Sequence, residues 1–183
     1  MCQNPATAVL VLGHSQGTVT MWTPNMKVGG SRVRRDSNVN SKEPAAKMLV
    51  HGQPCRAVSV DRSGNYLATS STDRTVKVWD LRTYQPVCHY SVGAGASQLQ
   101  WSQRGLLATS FGNRVEVYKD PTKEAITHPY MKHEVARQVS SLRFCPYEDV
   151  LGVGHAGGFS SMLVPGAGEP NFDALEANPF QVT

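Results

Sequence analysis

The residues of this 183-residue chain whose types best suit acid–base chemistry are His51 and Asp73. A histidine held by a carboxylate can move protons in catalysis, but it needs a nucleophile or a metal ligand beside it. No such residue lies at a suitable spacing in the sequence. The alternative interpretation is structural, because an imidazole and a carboxylate can satisfy each other's hydrogen bonds inside a folded domain. We therefore expect no catalytic residue and no metal ligand, and we predict that the chain is not an enzyme.

Other sequence signatures of catalysis or cofactor binding are missing. The chain has no GxxxxGK[ST], GxSxG or HExxH motif. Its glycine-rich stretch LGVGHAGGF, around His155, continues as the strand-like SSMLV, whereas a phosphate-binding loop leads into a helix. The four cysteines share no CxxC spacing, and only Cys88 has a histidine next to it. We expect no cofactor, no small-molecule substrate and reduced thiols.

The elements that would position these side chains are short β-strands. The segment GNYLATSSTDRTVKVWD, which begins at Gly64, predicts a strand, a polar turn and a second strand that ends in Trp-Asp. Weaker copies of this pattern end at Trp22, Tyr118 and Leu163. Repetition at about 40–45 residues is typical of the blades of a β-propeller.

This segment resembles one blade of a WD-repeat β-propeller. Blades of that family link a histidine, a hydroxyl, an aspartate and a tryptophan by hydrogen bonds, and the matching residues are His51, Thr69, Asp73 and Trp79. The resemblance implies a relay from indole N–H to hydroxyl to imidazole to carboxylate, which gives partners to polar groups that a packed blade buries. The expected fold class is all-β, a partial WD-repeat propeller of about four blades.

One segment interrupts the repeat. Residues 28–42, VGGSRVRRDSNVNSK, are polar and show no period of a strand or a helix, so we predict a disordered insertion between blades. The basic residues of this insertion account for most of the net charge of +4, and they are Arg32, Arg34, Arg35 and Lys42. One interpretation is a solvated loop, and the other is electrostatic contact with RNA. The apolar runs are far below transmembrane length, so we expect no membrane association.

Two further stretches carry a more specific resemblance. FCPYEDVLGVGHAGG begins at Phe144, and SMLVPGAGEPNFDALEANPF begins at Ser161. Together with SQRGLLATSFGNRVEVY and LGHSQGTVTMWTPNMK, they strongly resemble the BING-type nucleolar WD-repeat proteins, subunits of the small-subunit processome. The resemblance implies a non-catalytic nuclear and nucleolar scaffold that acts in pre-rRNA processing and small ribosomal subunit biogenesis. The implied partners are other processome proteins and the pre-rRNA ribonucleoprotein, with direct RNA contact left open.

The irregular segment after the last predicted strand is the strongest candidate for partner contact. We expect residues 1–165 to form the partial propeller and residues 166–183 to begin an irregular C-terminal extension. The candidate partner-binding residues are Pro165, Gly166, Gly168, Glu169, Pro170, Asn171, Phe172, Asp173, Leu175 and Phe180. The alternative interpretation is that this segment packs back on its own propeller.

The chain also departs from the family that it resembles. It begins within what should be the middle of the propeller, carries the 28–42 insertion and stops where the family continues into a charged helical extension. We therefore expect a partial propeller with open ends. A second functional class stays open: a generic WD-repeat adaptor for protein–protein interaction, such as a ligase substrate receptor. The segment PGAGEPNFD separates the two classes, because an adaptor has no reason to carry it.

Overall fold

The computed structural model describes residues 1–23, 44–122 and 128–169, and all regular secondary structure within these ranges is β-strand. The strands are β1 (Cys2–Gln3), β2 (Leu10–Gly13), β3 (Thr18–Trp22), β4 (Ala46–Leu49), β5 (Cys55–Val60), β6 (Tyr66–Ser71), β7 (Thr75–Asp80), β8 (Gln85–Ser91), β9 (Gln98–Trp101), β10 (Leu107–Phe111), β11 (Arg114–Tyr118), β12 (Met131–Glu134), β13 (Val139–Phe144), β14 (Val150–His155) and β15 (Gly158–Leu163). The predicted all-β class is confirmed. The predicted insertion at residues 28–42 lies outside the described residues, so its disorder stays a prediction.

The strands form four antiparallel sheets, and each sheet takes its strands in chain order. The first three sheets have four strands each, β1–β4, β5–β8 and β9–β12, and the fourth has the three strands β13–β15. The first strands of the sheets lie side by side, with β5 next to both β1 and β9, and β9 next to β13. This arrangement is that of propeller blades, with the first strand of each blade innermost. We number the blades one to four, and the four predicted blades are all present.

The hydrophobic core lies between neighbouring blades. Three buried clusters fill the three spaces between blades one and two, two and three, and three and four. Val76 and Val78 of β7 pack toward blade three, whereas Trp79 on the same strand packs toward blade one. Both faces of blade two are therefore buried, which is why its strands carry large apolar side chains on both sides.

The antiparallel order puts the turns at two opposite ends of the blades. The connections between blades lie at the same end as the turns between second and third strands, and we call this the upper end. The turns between first and second strands lie at the lower end, at residues 4–9, 61–65, 102–106 and 145–149. The chain returns to the lower end after β15, so residues 164–169 lie near these turns. The lower end is therefore where several blades can contact the segment that follows the last strand.

Candidate functional site

The four residues of the predicted relay lie together at the upper end of blade two. His51 Nε2 is 3.0 Å from Thr69 Oγ1, and His51 Nδ1 is 3.3 Å from Asp73 Oδ2. The indole N–H of Trp79 donates to Thr69 Oγ1 over 3.3 Å. The distances join indole, hydroxyl, imidazole and carboxylate in the order that the family resemblance implies. The stabilising role of this chain of contacts stays a proposal.

Each relay residue is held by a different local structure. Thr69 lies on β6 and Trp79 on β7, and His51 lies in the connection that enters blade two from blade one. Asp73 lies in the turn between the two strands, where its Oδ1 accepts hydrogen bonds from the backbone N–H of Thr75 at 2.9 Å and from the Thr75 hydroxyl at 2.5 Å. These contacts form an Asx turn, a structure that Asp favours because its short side chain reaches the backbone two residues on. The turn therefore fixes the carboxylate that faces the imidazole.

A close backbone approach holds His51 from the side of blade one. The backbone N–H of His51 donates to the carbonyl oxygen of Gly17 over 3.0 Å. Gly17 has a φ of +71°, and a Cβ on it would lie only 2.1 Å from the carbonyl oxygen of His51. Only glycine fits there, because the position combines a left-handed backbone with no space for a side chain. The relay thus depends on blade one as well as on blade two.

Burial controls the protonation of the relay. The His51 side chain is buried, which lowers the imidazole pKa, although the neighbouring Asp73 acts in the opposite direction. Burial alone would raise the pKa of Asp73, but hydrogen bonds from Thr75 and the nearby His51 outweigh it and the pKa is lowered. A neutral imidazole beside an ionised carboxylate fits a tautomer in which Nδ1–H donates to Asp73. Thr69 is fully buried, so its hydroxyl is not accessible to a substrate.

Blade one holds a polar triad that the sequence analysis missed. His14 Nε2 lies 2.7 Å from Thr20 Oγ1, and the Trp22 indole N–H donates to the same oxygen over 2.9 Å. In blade one the hydroxyl lies on the third strand, whereas in blade two it lies on the second. Thr20 pairs with Leu12, so it occupies the position that Lys77, the partner of Thr69, has in blade two. The histidine comes from the turn between β2 and β3. The family's usual spacing of the four relay residues therefore does not locate this triad. The sequence HSQGTVTMW does contain all three of its residues.

Blades three and four also have polar contacts of their own. The Tyr118 hydroxyl donates to Glu116 Oε2 over 2.7 Å in blade three. In blade four, His155 Nε2 lies 2.9 Å from Ser160 Oγ across the turn between β14 and β15. The degenerate blades thus replace the relay by shorter local contacts. His155 has a structural partner and lies in no phosphate-binding loop.

The start of the C-terminal segment is fixed to blade four by a carboxylate. The backbone N–H groups of Gly166 and Gly168 donate to Asp149 Oδ2 and Oδ1 over 3.1 and 2.7 Å. These hydrogen bonds hold the pKa of Asp149 below its ordinary value. Gly168 lies so close to Glu148 that a Cβ would be 2.5 Å from its backbone carbon. Ala167 is fully buried in the cluster between blades three and four.

The next residue crosses the lower end toward blades three and two. The backbone N–H of Glu169 donates to Gln103 Oε1 over 3.3 Å, and its carboxylate lies 3.6 Å from the Arg62 guanidinium. Gln103 Oε1 also accepts the backbone N–H of Tyr147 over 2.8 Å. One amide oxygen therefore ties the segment to the lower turns of two blades.

The candidate partner-binding residues fall into two groups. Residues Pro165, Gly166, Gly168 and Glu169 belong to the anchored stretch, which favours the alternative that the segment packs on its own propeller. The remaining candidates lie outside the described residues, and they are Pro170, Asn171, Phe172, Asp173, Leu175 and Phe180. Partner contact by this segment stays a proposal.

Within residues 1–23, 44–122 and 128–169, no group of three or more His, Cys, Asp or Glu side chains is placed to hold a metal ion. All four cysteines are free and half-buried. The same ranges contain no helix long and apolar enough to cross a membrane.

Comparison with known proteins identifies the family. Residues 129–183 match the BING4CT (NUC141) domain, and residues 42–80 match the WD domain, G-beta repeat. The chain belongs to the BING-type WD-repeat proteins. The first match covers the last strand of blade three, blade four and the anchored segment, and the second covers the last strand of blade one and the first three strands of blade two, with all four relay residues.

Two curated relatives match this BING-type chain along almost its whole length. It is 48% identical over 185 residues to the human WD repeat-containing protein 46, covering 99% of this chain and 28% of that protein. It is 39% identical over 198 residues to the U3 small nucleolar RNA-associated protein 7 of Saccharomyces cerevisiae, covering 99% of this chain and 33% of that protein. The chain thus spans a third or less of each of these relatives.

A solved structure supports the fold of this BING-type chain. A chain in the crystal structure of a mitotic checkpoint complex aligns with a TM-score of 0.67 at 18% identity, covering 90% of this chain and 51% of that chain. At this identity the likeness concerns the fold alone. With the WD repeat and the four sheets, the predicted partial WD-repeat propeller is confirmed.

Proposed function

We propose that the protein is a non-catalytic nucleolar scaffold in pre-rRNA processing and small ribosomal subunit biogenesis. The observation that carries this proposal is the BING4CT domain at residues 129–183, joined to a WD repeat in one chain. The yeast relative is named for its association with the U3 small nucleolar RNA. The strongest acid–base group of the sequence, His51, contacts a fully buried hydroxyl rather than an accessible one, which supports a structural role.

The proposed mechanism is geometric. Blades that pack against one another form a rigid support, and the surfaces of a propeller are broad enough to hold several partners. Proposed partners are other processome proteins and the pre-rRNA ribonucleoprotein. The segment from Pro165 to Phe180 is the proposed partner contact, and its first residues are fixed to Asp149 and Gln103 at a defined place on the propeller.

Direct contact with RNA is the second part of the proposal. Arg32, Arg34, Arg35 and Lys42 concentrate positive charge in residues 28–42. Such charge binds phosphates without base specificity and weakens as salt rises. A variant that lacks residues 28–42 should therefore lose RNA binding at low salt while the processome assembly that depends on protein contacts persists.

The matched domain also separates this function from that of a generic adaptor. PGAGEPNFD, the segment expected to discriminate the two, begins at Pro165 and lies within the BING4CT match at residues 129–183. The anchoring contacts of Gly166 and Gly168 give the start of this segment a defined structure. An adaptor for a ligase substrate would not need it.

A replacement experiment in yeast tests the proposal. The region of the U3 small nucleolar RNA-associated protein 7 that aligns with this chain is exchanged for it, and pre-rRNA intermediates are measured while the native protein is depleted. We expect the exchanged protein to maintain small-subunit rRNA processing. A variant of the exchanged protein without residues 170–183 should not do so. A stable, nucleolar exchanged protein that leaves unprocessed pre-rRNA accumulating would contradict the proposal.

A further inference from the structure

The two ends of the propeller differ in charge. Within the described residues, the turns and blade connections at the lower end carry five carboxylates, on Asp61, Asp120, Glu148, Asp149 and Glu169. Those at the upper end carry one, on Asp73, which already faces His51 and Thr75. Another upper carboxylate, on Glu134 at the end of β12, is paired with Arg114 over 2.6 Å. Cations at the upper end therefore meet no free carboxylate in the described part of the chain.

Three arginines lie at this upper end. Arg74 belongs to the turn between β6 and β7, Arg137 belongs to the connection that enters blade four, and Arg56 is the second residue of β5. All three are exposed, and among the described residues none of their side chains has an ion-pair or hydrogen-bond partner. At the lower end, by contrast, Arg62 lies 3.6 Å from a carboxylate oxygen of Glu169. The upper end therefore presents guanidinium groups that no described side chain neutralises.

Irregular backbone carries two of these arginines. The pairing of β5 with β6 shifts between Cys55 and Ala57, so Arg56 is the extra residue of a β-bulge, a feature that turns a side chain out of the regular alternation. Arg74 has a φ of +64°, and the residue in the same place before β3 is Gly17, with a φ of +71°. The left-handed region suits glycine better than a residue with a side chain. The chain thus holds an arginine where glycine has the lower conformational cost, which favours a role for the side chain itself.

We propose that the upper end of blades two to four binds the phosphate backbone of RNA through Arg56, Arg74 and Arg137. A guanidinium donates its N–H groups in a planar fork that matches the oxygens of a phosphate. Contacts of this kind fix the position of a nucleic acid without reading its sequence. This surface is separate from the basic residues 28–42, which belong to the connection between β3 and β4. The inference rests on the proposed role in pre-rRNA processing only for the identity of the RNA.

The surroundings of the three arginines favour RNA over a protein partner. Protein interfaces depend on large apolar or aromatic anchors at their centre. Among the described residues of blades two and three, the exposed large apolar side chains are those of Tyr84 and Tyr130, in lower-end connections, and of Val87, in the lower half of β8. The upper-end connections expose small residues instead, such as Ala94 and Ala136. A small-residue surface with unpaired arginines suits a polar, charged backbone.

The salt dependence of RNA binding tests the proposal. Binding of a short fluorescent poly(U) RNA to the full chain is measured by anisotropy over a series of salt concentrations. On a single strand each phosphate contact contributes about 0.7 to the slope of log affinity against log salt, so the variant with Arg56→Gln, Arg74→Gln and Arg137→Gln should lose about 2 in slope. The matched control, with Arg82→Gln, Arg104→Gln and Arg143→Gln, removes the same charge from the lower part of the propeller and should keep the slope of the unchanged chain. Equal losses in the two variants, or no loss in the first, would overturn the proposal.

Photo-crosslinking gives a second readout that needs no substitution. The unchanged chain is irradiated with RNA that contains 4-thiouridine, and the crosslinked peptides are identified by mass spectrometry. We expect crosslinks in peptides that contain Arg56, Arg74 or Arg137. Crosslinks confined to residues 28–42 or to the lower turns would overturn this inference and leave the proposed role in pre-rRNA processing standing. Failure of that role in the yeast replacement experiment, in turn, would not alter the salt slopes or the crosslinks measured with purified protein.

Discussion

Replacing Thr69 by valine isolates the contribution of the relay to stability. Valine keeps the shape of threonine but removes the hydroxyl, so the indole N–H of Trp79 and the Nε2 of His51 lose their partner. His51 and Trp79 are only 2% and 9% exposed, so water cannot replace the lost contact. Each unpartnered buried group costs about 1–3 kcal/mol, which gives an expected loss of about 2–6 kcal/mol in the free energy of unfolding.

Blade three supplies a matched control for this substitution. Thr109 is also fully buried and occupies the equivalent strand position, but its hydroxyl donates only to the carbonyl oxygen of Glu116, over 3.3 Å. Thr109→Val should therefore cost about 0.5–1.5 kcal/mol, the net value of one ordinary hydrogen bond. Urea unfolding followed by circular dichroism measures both variants. If Thr69→Val and Thr109→Val cost the same, the relay would add nothing and the reasoning would be wrong.

Three further predictions use the same unfolding assay or a simple labelling experiment. Because burial holds the pKa of His51 below its ordinary 6.5, the unfolded chain binds the proton more readily. Stability should therefore fall as the pH drops below about 6.5, and His51→Asn should remove that part of the pH dependence. Gly168→Ala should cost about 1–3 kcal/mol by overpacking, whereas Gly52→Ala, where nothing lies within 4 Å, should be nearly neutral. Cys2 and Cys55, whose pKa values burial raises to about 11, should react with iodoacetamide at pH 8 about a hundredfold more slowly than a thiol of ordinary pKa.

Blade two was the most predictable part of the fold. Its polar turn and alternating strand residues are local signals, and the contacts of Asp73 with Thr75 show that the turn is fixed by neighbours in sequence. The four relay residues could be located because a family spacing exists for them. The distances between them depend on how blade one packs on blade two, through the contact of Gly17 with His51. The residues near either position in the sequence give no sign of that contact.

Two kinds of contact could not be predicted from the sequence. One joins residues at a spacing that differs from that of the family, and the other joins residues that are far apart in the sequence. His14, Thr20 and Trp22 use a hydroxyl on a different strand from the family pattern, so a search by spacing passes over them. The anchor of the C-terminal segment joins Asp149 to backbone N–H groups, which every residue type except proline carries. Backbone N–H groups do not show in the amino-acid sequence, and the reason for glycine at position 168, its close approach to Glu148, is visible in the structure and not in the sequence.

We propose that this BING-type chain is part of a scaffold of small-subunit pre-rRNA processing. The decisive experiment is purification of the tagged protein from nucleolar extract, followed by quantification of the RNA recovered with it. We predict strong enrichment of U3 small nucleolar RNA and pre-rRNA over other abundant nuclear RNAs, with much less recovered when residues 170–183 are removed. Recovery of the folded protein with no enrichment of either RNA would contradict the account.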